Sequence, residues 1–151
     1  MRFEDSLPLL RALPLFADLG LEPLRLLAFS ATTRSYRAGD TLFRRGEAAE
    51  GGLLIVEGQV VLDRADNGGP SSHVYGPGTL LGQSALFARI ERPTTALART
   101  AVVVMVIPRD LMLRVLDANP EAAAQLRTKL AQQTAELARA VDRATALADL
   151  G

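Results

Sequence analysis

The residues best suited to chemistry lie in one stretch from Gly76 to Ala98, which reads GPGTLLGQSALFARIERPTTALA. Gly82 allows a close backbone approach, and a helical turn that begins there would direct free N–H groups outward. The charged loop that follows contains Arg89 and Arg92, and an arginine there would supply a planar fork that suits phosphate oxygens. This combination predicts an anion pocket, although the same pattern also fits an ordinary surface loop with an exposed arginine.

Few other residues offer catalytic or metal chemistry. The chain has no cysteine and one histidine, His73, so a thiolate metal site is excluded and any catalytic triad would have to use that single imidazole. It has no Walker-type lysine loop and no carboxylate pair with an obvious shared pocket. We therefore expect no enzyme activity, no metal and no cofactor.

The bulk composition indicates one domain without a strong electrostatic preference. The 151 residues include 17 Lys and Arg against 17 Asp and Glu, and this balance provides no overall attraction to nucleic acid or anionic membranes. The N-terminus lacks the features of a signal peptide, and no apolar stretch approaches the roughly 20 residues needed to span a bilayer. We expect a cytoplasmic protein that by itself binds neither nucleic acid nor membrane.

The elements that must position residues 76–98 are short strands framed by helices. Apolar periodicity predicts a short helix over Leu7–Phe16, broken near Pro14, and a second helix over Leu21–Ala31. Predicted strands lie at Thr41–Phe43, Leu53–Val56, Val60–Leu62 and Ala101–Ile107. Predicted turns or bends lie at Ala38–Asp40, Gly51–Gly52, Gly58, Asn67–Pro70 and Gly76–Gly78. Strands at this spacing, without helices between them, favour an antiparallel sandwich or barrel.

The C-terminal part predicts a short helix over Arg109–Leu116 and then one long helix. Asn119, Pro120 and Glu121 form a well-defined helix start, and neither proline nor glycine follows until Gly151. We divide the chain into a domain of residues 1–118 and a long helix of residues 119–151.

The long helix carries an apolar seam at heptad spacing. Its positions are Leu126, Leu130, Leu137, Ala140, Ala144 and Leu147, with Gln133 as an interruption. The seam could pack on its own domain or on the same helix of a second chain. Because the helix is longer than a small β domain, we favour a homodimer through residues 120–148.

Several segments, in order, resemble the cyclic-nucleotide-binding domain family, which includes the catabolite activator proteins and the regulatory subunits of protein kinase A. The opening LRALPLFADLGLEPLRLLA is similar to the family's N-terminal helices, and YRAGDTLFRRGEAAEGGLLIVEGQVVL to its strand-turn-strand block. GPGTLLGQSAL followed by RPTTA is similar to the phosphate-binding cassette, and VVVMVIPRDLMLRVLDANP to the closing strand and helix. The resemblance implies a mainly β fold, a jelly-roll with N-terminal helices and a long C-terminal helix, and cAMP or cGMP as the ligand.

The resemblance also implies roles for individual residues. Arg92 would bind the cyclic phosphate, together with a set of cassette residues that comprises Gly82, Ser84, Ala85, Thr94 and Thr95. Gln83 would hold the ribose, and Gln133 or Thr134 of the long helix would cap the base.

Two positions depart from the family pattern. Gln83 stands where a glutamate normally accepts the ribose 2′-hydroxyl proton, so the contact loses a charge. Pro93 stands where Ser, Thr or Ala is usual, so one N–H contact cannot form, and Arg92 is biased toward an extended backbone.

The resemblance implies a regulatory module that signals through its long helix to an unidentified protein partner. The two departures leave open a ligand-free scaffold that acts in protein–protein interaction. Because DNA-binding members of the family continue into a helix-turn-helix domain, a transcription regulator cut before that domain is a third interpretation.

Overall fold

The computed structural model describes residues 3–63 and 73–150. The order of elements along the chain is α1 (Phe3–Ala12), α2 (Leu21–Ser30), β1 (Thr32–Tyr36), β2 (Thr41–Phe43), β3 (Gly51–Glu57), β4 (Val60–Asp63), β5 (Val74–Tyr75), β6 (Leu80–Leu81), a 3₁₀ helix (Gln83–Leu86), β7 (Thr95–Ala98), β8 (Val102–Pro108), α3 (Arg109–Ala118) and α4 (Pro120–Leu150). The predicted jelly-roll with flanking helices and a long C-terminal helix is confirmed.

The strands form two four-stranded sheets with antiparallel pairing throughout. The first sheet has the order β1-β8-β3-β6 and the second the order β2-β7-β4-β5. In the first sheet β8 lies between β1 and β3, with Val106 opposite both Thr32 and Leu53. The long β8 strand is therefore central and hydrogen-bonded on both sides.

Strand β8, in the middle of the first sheet, is covered on both faces, which explains its valine-rich sequence. Val102, Val104 and Val106 point into the core between the two sheets. Met105 and Ile107 point the other way, into a second core formed with the helices. Because side chains alternate along a strand, two covered faces require apolar residues at successive positions.

The structure corrects the interpretation of one glycine pair. Gly51 and Gly52 were expected in a turn, but they are the first two residues of β3 and are buried. A Cβ on Gly51 would overlap the carbonyl oxygen of Ile107 on β8, so glycine here allows close strand approach. The predicted bend at Gly58 is confirmed, with a φ of 88° between β3 and β4. The predicted turn at Asn67–Pro70 lies outside the described residues.

Several short elements were not predicted, and the first helix was misplaced. Helix α1 spans Phe3–Ala12, so it ends before Pro14, where a break is predicted, but it begins earlier than the predicted Leu7 and does not continue to Phe16. The unpredicted strands are β1, β5, β6 and β7, which are polar or only two to five residues long. Their apolar pattern is too short to separate strand from loop.

Helix α4 confirms the long helix, and its seam is divided between two environments. Leu126 is buried, and Leu130 packs against the same core of its own domain. Residues 131–136 are exposed, as is Ala140, and the side chains of the other seam positions lie outside those the structure describes. The division at residue 118 stays a prediction. None of the helices in the described part of the chain is long and apolar enough to cross a membrane.

Candidate functional site

A cavity of about 550 Å³ opens beside the 3₁₀ helix. This volume lies within the range of about 300–1,000 Å³ that is typical of small-molecule sites. Its lining residues are Phe43, Leu62, Tyr75, Thr79, Leu80, Leu81, Gly82, Gln83, Ser84, Ile90, Arg92, Pro93 and Thr94. Five predicted site residues are thus brought together, namely Gly82, Gln83, Ser84, Arg92 and Thr94.

The backbone of Arg92 is held by the loop that precedes β3. Its N–H donates to the carbonyl of Glu47 at 2.8 Å, and its carbonyl accepts from the N–H of Gly46 at 2.9 Å. A further bridge pairs Ala48 with Glu91. The side chain of Arg92 points inward and the residue is only 5% exposed, so Pro93 does not turn the guanidinium out of the cavity.

The guanidinium of Arg92 is only partly satisfied. Its Nη2 donates to the carbonyl of Gly51 at 3.0 Å. Its Nη1 is buried and has no hydrogen-bond partner among the described residues. The guanidinium also lies 4.4 Å from the centre of the Phe43 ring, a cation–π contact. Burial lowers the pKa of Arg92, against the opposing charges of Glu50 and Glu47.

Gly82 gives the unpaired nitrogen its space. It has a left-handed backbone with φ of 78° and caps the start of the 3₁₀ helix, so the predicted helical turn is confirmed. A Cβ at this position would overlap Arg92 Nη1. Any other L-residue would therefore combine backbone strain with a clash against the guanidinium.

Two predicted phosphate contacts lie outside the cavity lining. Ala85 is fully buried, and its N–H donates to the carbonyl of Gly82 at 3.0 Å, so this amide is used inside the turn. Thr95 belongs to β7, and its Oγ1 accepts from the N–H of Arg45 at 3.0 Å. Both residues support the walls of the site.

The long helix reaches the cassette through one glutamine pair. The side-chain Nε2 of Gln83 donates to Oε1 of Gln133 at 2.9 Å. The Thr134 hydroxyl instead donates to the carbonyl of Leu130 on its own helix at 3.0 Å. Gln133 and Thr134 are exposed and are not among the cavity-lining residues.

Two features of the site were not predicted from the sequence: the apolar side of the cavity, and the hydrogen bond from Arg92 to the carbonyl of Gly51. Phe43, Leu62 and Tyr75 line the cavity from three different strands, and only the sheet topology brings them together. The sequence carries one sign of the contact between Arg92 and Gly51, the Gly51-Gly52 doublet, but two adjacent glycines are also typical of a turn. The part of the chain that the structure describes has no group of three His, Cys, Asp or Glu side chains placed to hold a metal ion.

Comparisons with known proteins agree on one family. The family model described as cyclic nucleotide-binding domain matches residues 33–119. The chain is 29% identical over 125 residues to the cyclic AMP receptor protein of Thermus thermophilus, covering 82% of this chain and 58% of that protein.

Solved structures show the same relationship. The N-terminal domain of a transcriptional regulator from Streptomyces coelicolor has a TM-score of 0.81 and 30% identity, over 88% of this chain and 94% of that one. A cyclic nucleotide-binding-like protein from Brucella abortus has a TM-score of 0.68 and 38% identity, over 75% of this chain and 98% of that one. Since the family model matches more than half of the residues, the chain belongs to the cyclic nucleotide-binding domain family.

Proposed function

We propose that this chain is a regulatory module, and not an enzyme, that binds a cyclic nucleotide in the Arg92 cavity and signals through α4 in the cytoplasm. The observation that carries the proposal is the buried Nη1 of Arg92, which lies beside Gly82 and has no hydrogen-bond partner within the described part of the chain. A buried cation with an unused donor is costly unless an anion completes it. A cyclic phosphate supplies the matching oxygen acceptors.

The ribose would be held by Gln83. Its Nε2 is engaged with Gln133, which leaves the side-chain carbonyl oxygen available to accept from a hydroxyl. Ser84 and Thr94 line the same cavity and add polar contacts for the phosphate. The base would lie toward the apolar wall that includes Leu62 and Tyr75, with Gln133 or Thr134 as its cap. cAMP and cGMP are both accommodated by this scheme.

Signalling through α4 is supported by the contacts that hold this helix on its own domain. Lys129 forms an ion pair with Asp18 at 3.0 Å, and Leu126 is buried in the helical core. Gln133 is tied to Gln83, the residue that the ribose would engage. A ligand that changes the Gln83 contact would therefore shift α4 between two placements, to the extent of its differential affinity for them.

Isothermal titration with cAMP and with cGMP tests the binding. We expect Arg92→Ala to lose roughly 100-fold or more in affinity, because hydrogen bonds to a charged group are worth about 1.5–3 kcal/mol each. Arg89→Ala is the matched control, since Arg89 is exposed in the same loop and does not line the cavity.

The outcomes separate the two functional interpretations. Binding that survives Arg92→Ala unchanged would contradict the proposed mode. A flat titration of the wild type, together with no nucleotide in protein purified from cells, would favour the ligand-free scaffold for protein–protein interaction.

We also propose a homodimer through residues 120–148, with an unidentified protein partner as the recipient of the signal. The length of α4 supports this, because the helix continues to Leu150, well past Leu130 and Gln133, which contact its own domain. Light scattering with Leu137→Glu tests it. If the wild type is a dimer, Leu137→Glu should reduce its mass to that of a monomer. A wild type that is already monomeric, or a variant that remains dimeric, would rule out the seam as the interface.

A further inference from the structure

Arg109 lies between the cassette and the C-terminal helices. It is the first residue of α3 and follows β8 directly. Its Nη1 lies 3.1 Å from the carbonyl of Ala49, 3.1 Å from that of Ala85 and 3.0 Å from that of Ala88. Ala85 and Ala88 lie in and just after the 3₁₀ helix, where carbonyls are left without helical partners and a cation is favourable.

The segment Ala49–Gly51 connects this arginine to the one in the cavity. Its three successive carbonyls accept from Arg109 Nη1, from the backbone N–H of Arg109 at 2.9 Å, and from Arg92 Nη2 at 3.0 Å. The cavity cation and the first residue of α3 are thus attached to the same three residues.

We propose that Arg109 is a positioning residue that holds the 3₁₀ helix in place beside the cavity and fastens it to α3. We infer further that Arg109 transmits the effect of ligand binding from the 3₁₀ helix to α3 and α4, and this second step rests on the proposed function. The positioning role does not depend on the proposed function, because it is argued only from contacts within the protein.

Hydrogen exchange on the ligand-free protein tests the positioning. The probes are the amides of Ala85, Phe87 and Ala88, whose N–H groups bond within the turn. We expect Arg109→Met to speed their exchange roughly tenfold or more, since a charge-assisted contact is lost. The backbone N–H of Arg109 is retained in this variant, so the start of α3 keeps its bond to Glu50.

Two further variants make the test specific. Arg109→Lys keeps the charge and should restore most of the protection. Arg114→Met removes an exposed arginine from the same helix and should leave the three amides unchanged. Exchange that is unaltered in Arg109→Met, or raised equally along the whole chain, would overturn the positioning role.

The same exchange experiment with ligand tests whether Arg109 couples the 3₁₀ helix to α3 and α4. With cAMP at saturation, we expect changes of protection over residues 110–130 in the wild type and their loss in Arg109→Met. Changes that persist in Arg109→Met would overturn the coupling. If the wild type binds no nucleotide, the proposed function fails, while the exchange of the ligand-free protein still decides whether Arg109 positions the turn.

Discussion

The regions around Arg92 and Arg109 use the same side chain in opposite ways. At Arg92 the donors are in excess, because the residue is 5% exposed and Nη1 has no partner among the described residues. At Arg109 the acceptors are in excess, because three carbonyls surround one nitrogen. The difference supports the two proposals made above, a positioning role for Arg109 and an anion site at Arg92.

The largest change in stability is expected when a methyl group is added beside Arg92. Gly82→Ala should lower the free energy of unfolding by about 2–3 kcal/mol, since it adds left-handed strain and displaces Nη1. Urea denaturation measures the loss. The titration with cyclic nucleotide should fail in the same variant.

Gly39 provides the matched control for strain alone. Its φ of 92° is also left-handed, but a Cβ there meets no atom within 4 Å. Gly39→Ala should therefore cost only about 1 kcal/mol. Equal losses in the two variants would show that the cavity can absorb the displaced guanidinium.

A second pair of variants compares the arginines directly. Arg109→Met should lower the free energy of unfolding by about 1–3 kcal/mol, because three carbonyls, two of them in part-buried contacts, lose a charged donor. Arg92→Met should change it by less than about 1 kcal/mol, since removing an incompletely paired buried charge relieves desolvation. Denaturant titration of both variants measures the difference. A larger loss for Arg92→Met would mean that the cavity arginine is mainly structural.

The smallest effect is expected at Gln83, the residue proposed to hold the ribose. Gln83→Glu should raise the affinity for cyclic nucleotide by about tenfold, because a charged acceptor replaces a neutral one. Gln125→Glu, an exposed change of the same kind on α4, should leave the affinity unchanged. Weaker binding by Gln83→Glu would indicate that this side chain does not meet a ribose hydroxyl.

Local patterns in the sequence were sufficient for the large elements and for one side of the site. The Asn-Pro-Glu start predicted α4, and its first residue, Pro120, agrees with the structure. The valine-rich run predicted β8, and the motif around Gly82 and Arg92 predicted the polar part of the cavity. Strands of two to five residues carried too few side chains for their periodicity to be visible.

Local sequence patterns could not predict which strands pair with each other, and the Gly51-Gly52 doublet shows why. Two glycines in sequence are typical of a turn, yet here they allow β3 to approach β8. Phe43 beside Arg92, and the carbonyls around Arg109, are also contacts between residues distant in the chain.

The sequence was sufficient to predict the class of fold, the long terminal helix, and a glycine and an arginine suited to a phosphate. The buried Arg92 guanidinium, with one nitrogen unpaired among the described residues, became visible only in the folded chain, as did the second arginine at the back of the same turn. Burial and hydrogen-bond satisfaction depend on which distant backbone carbonyls the fold brings within about 3 Å of a donor.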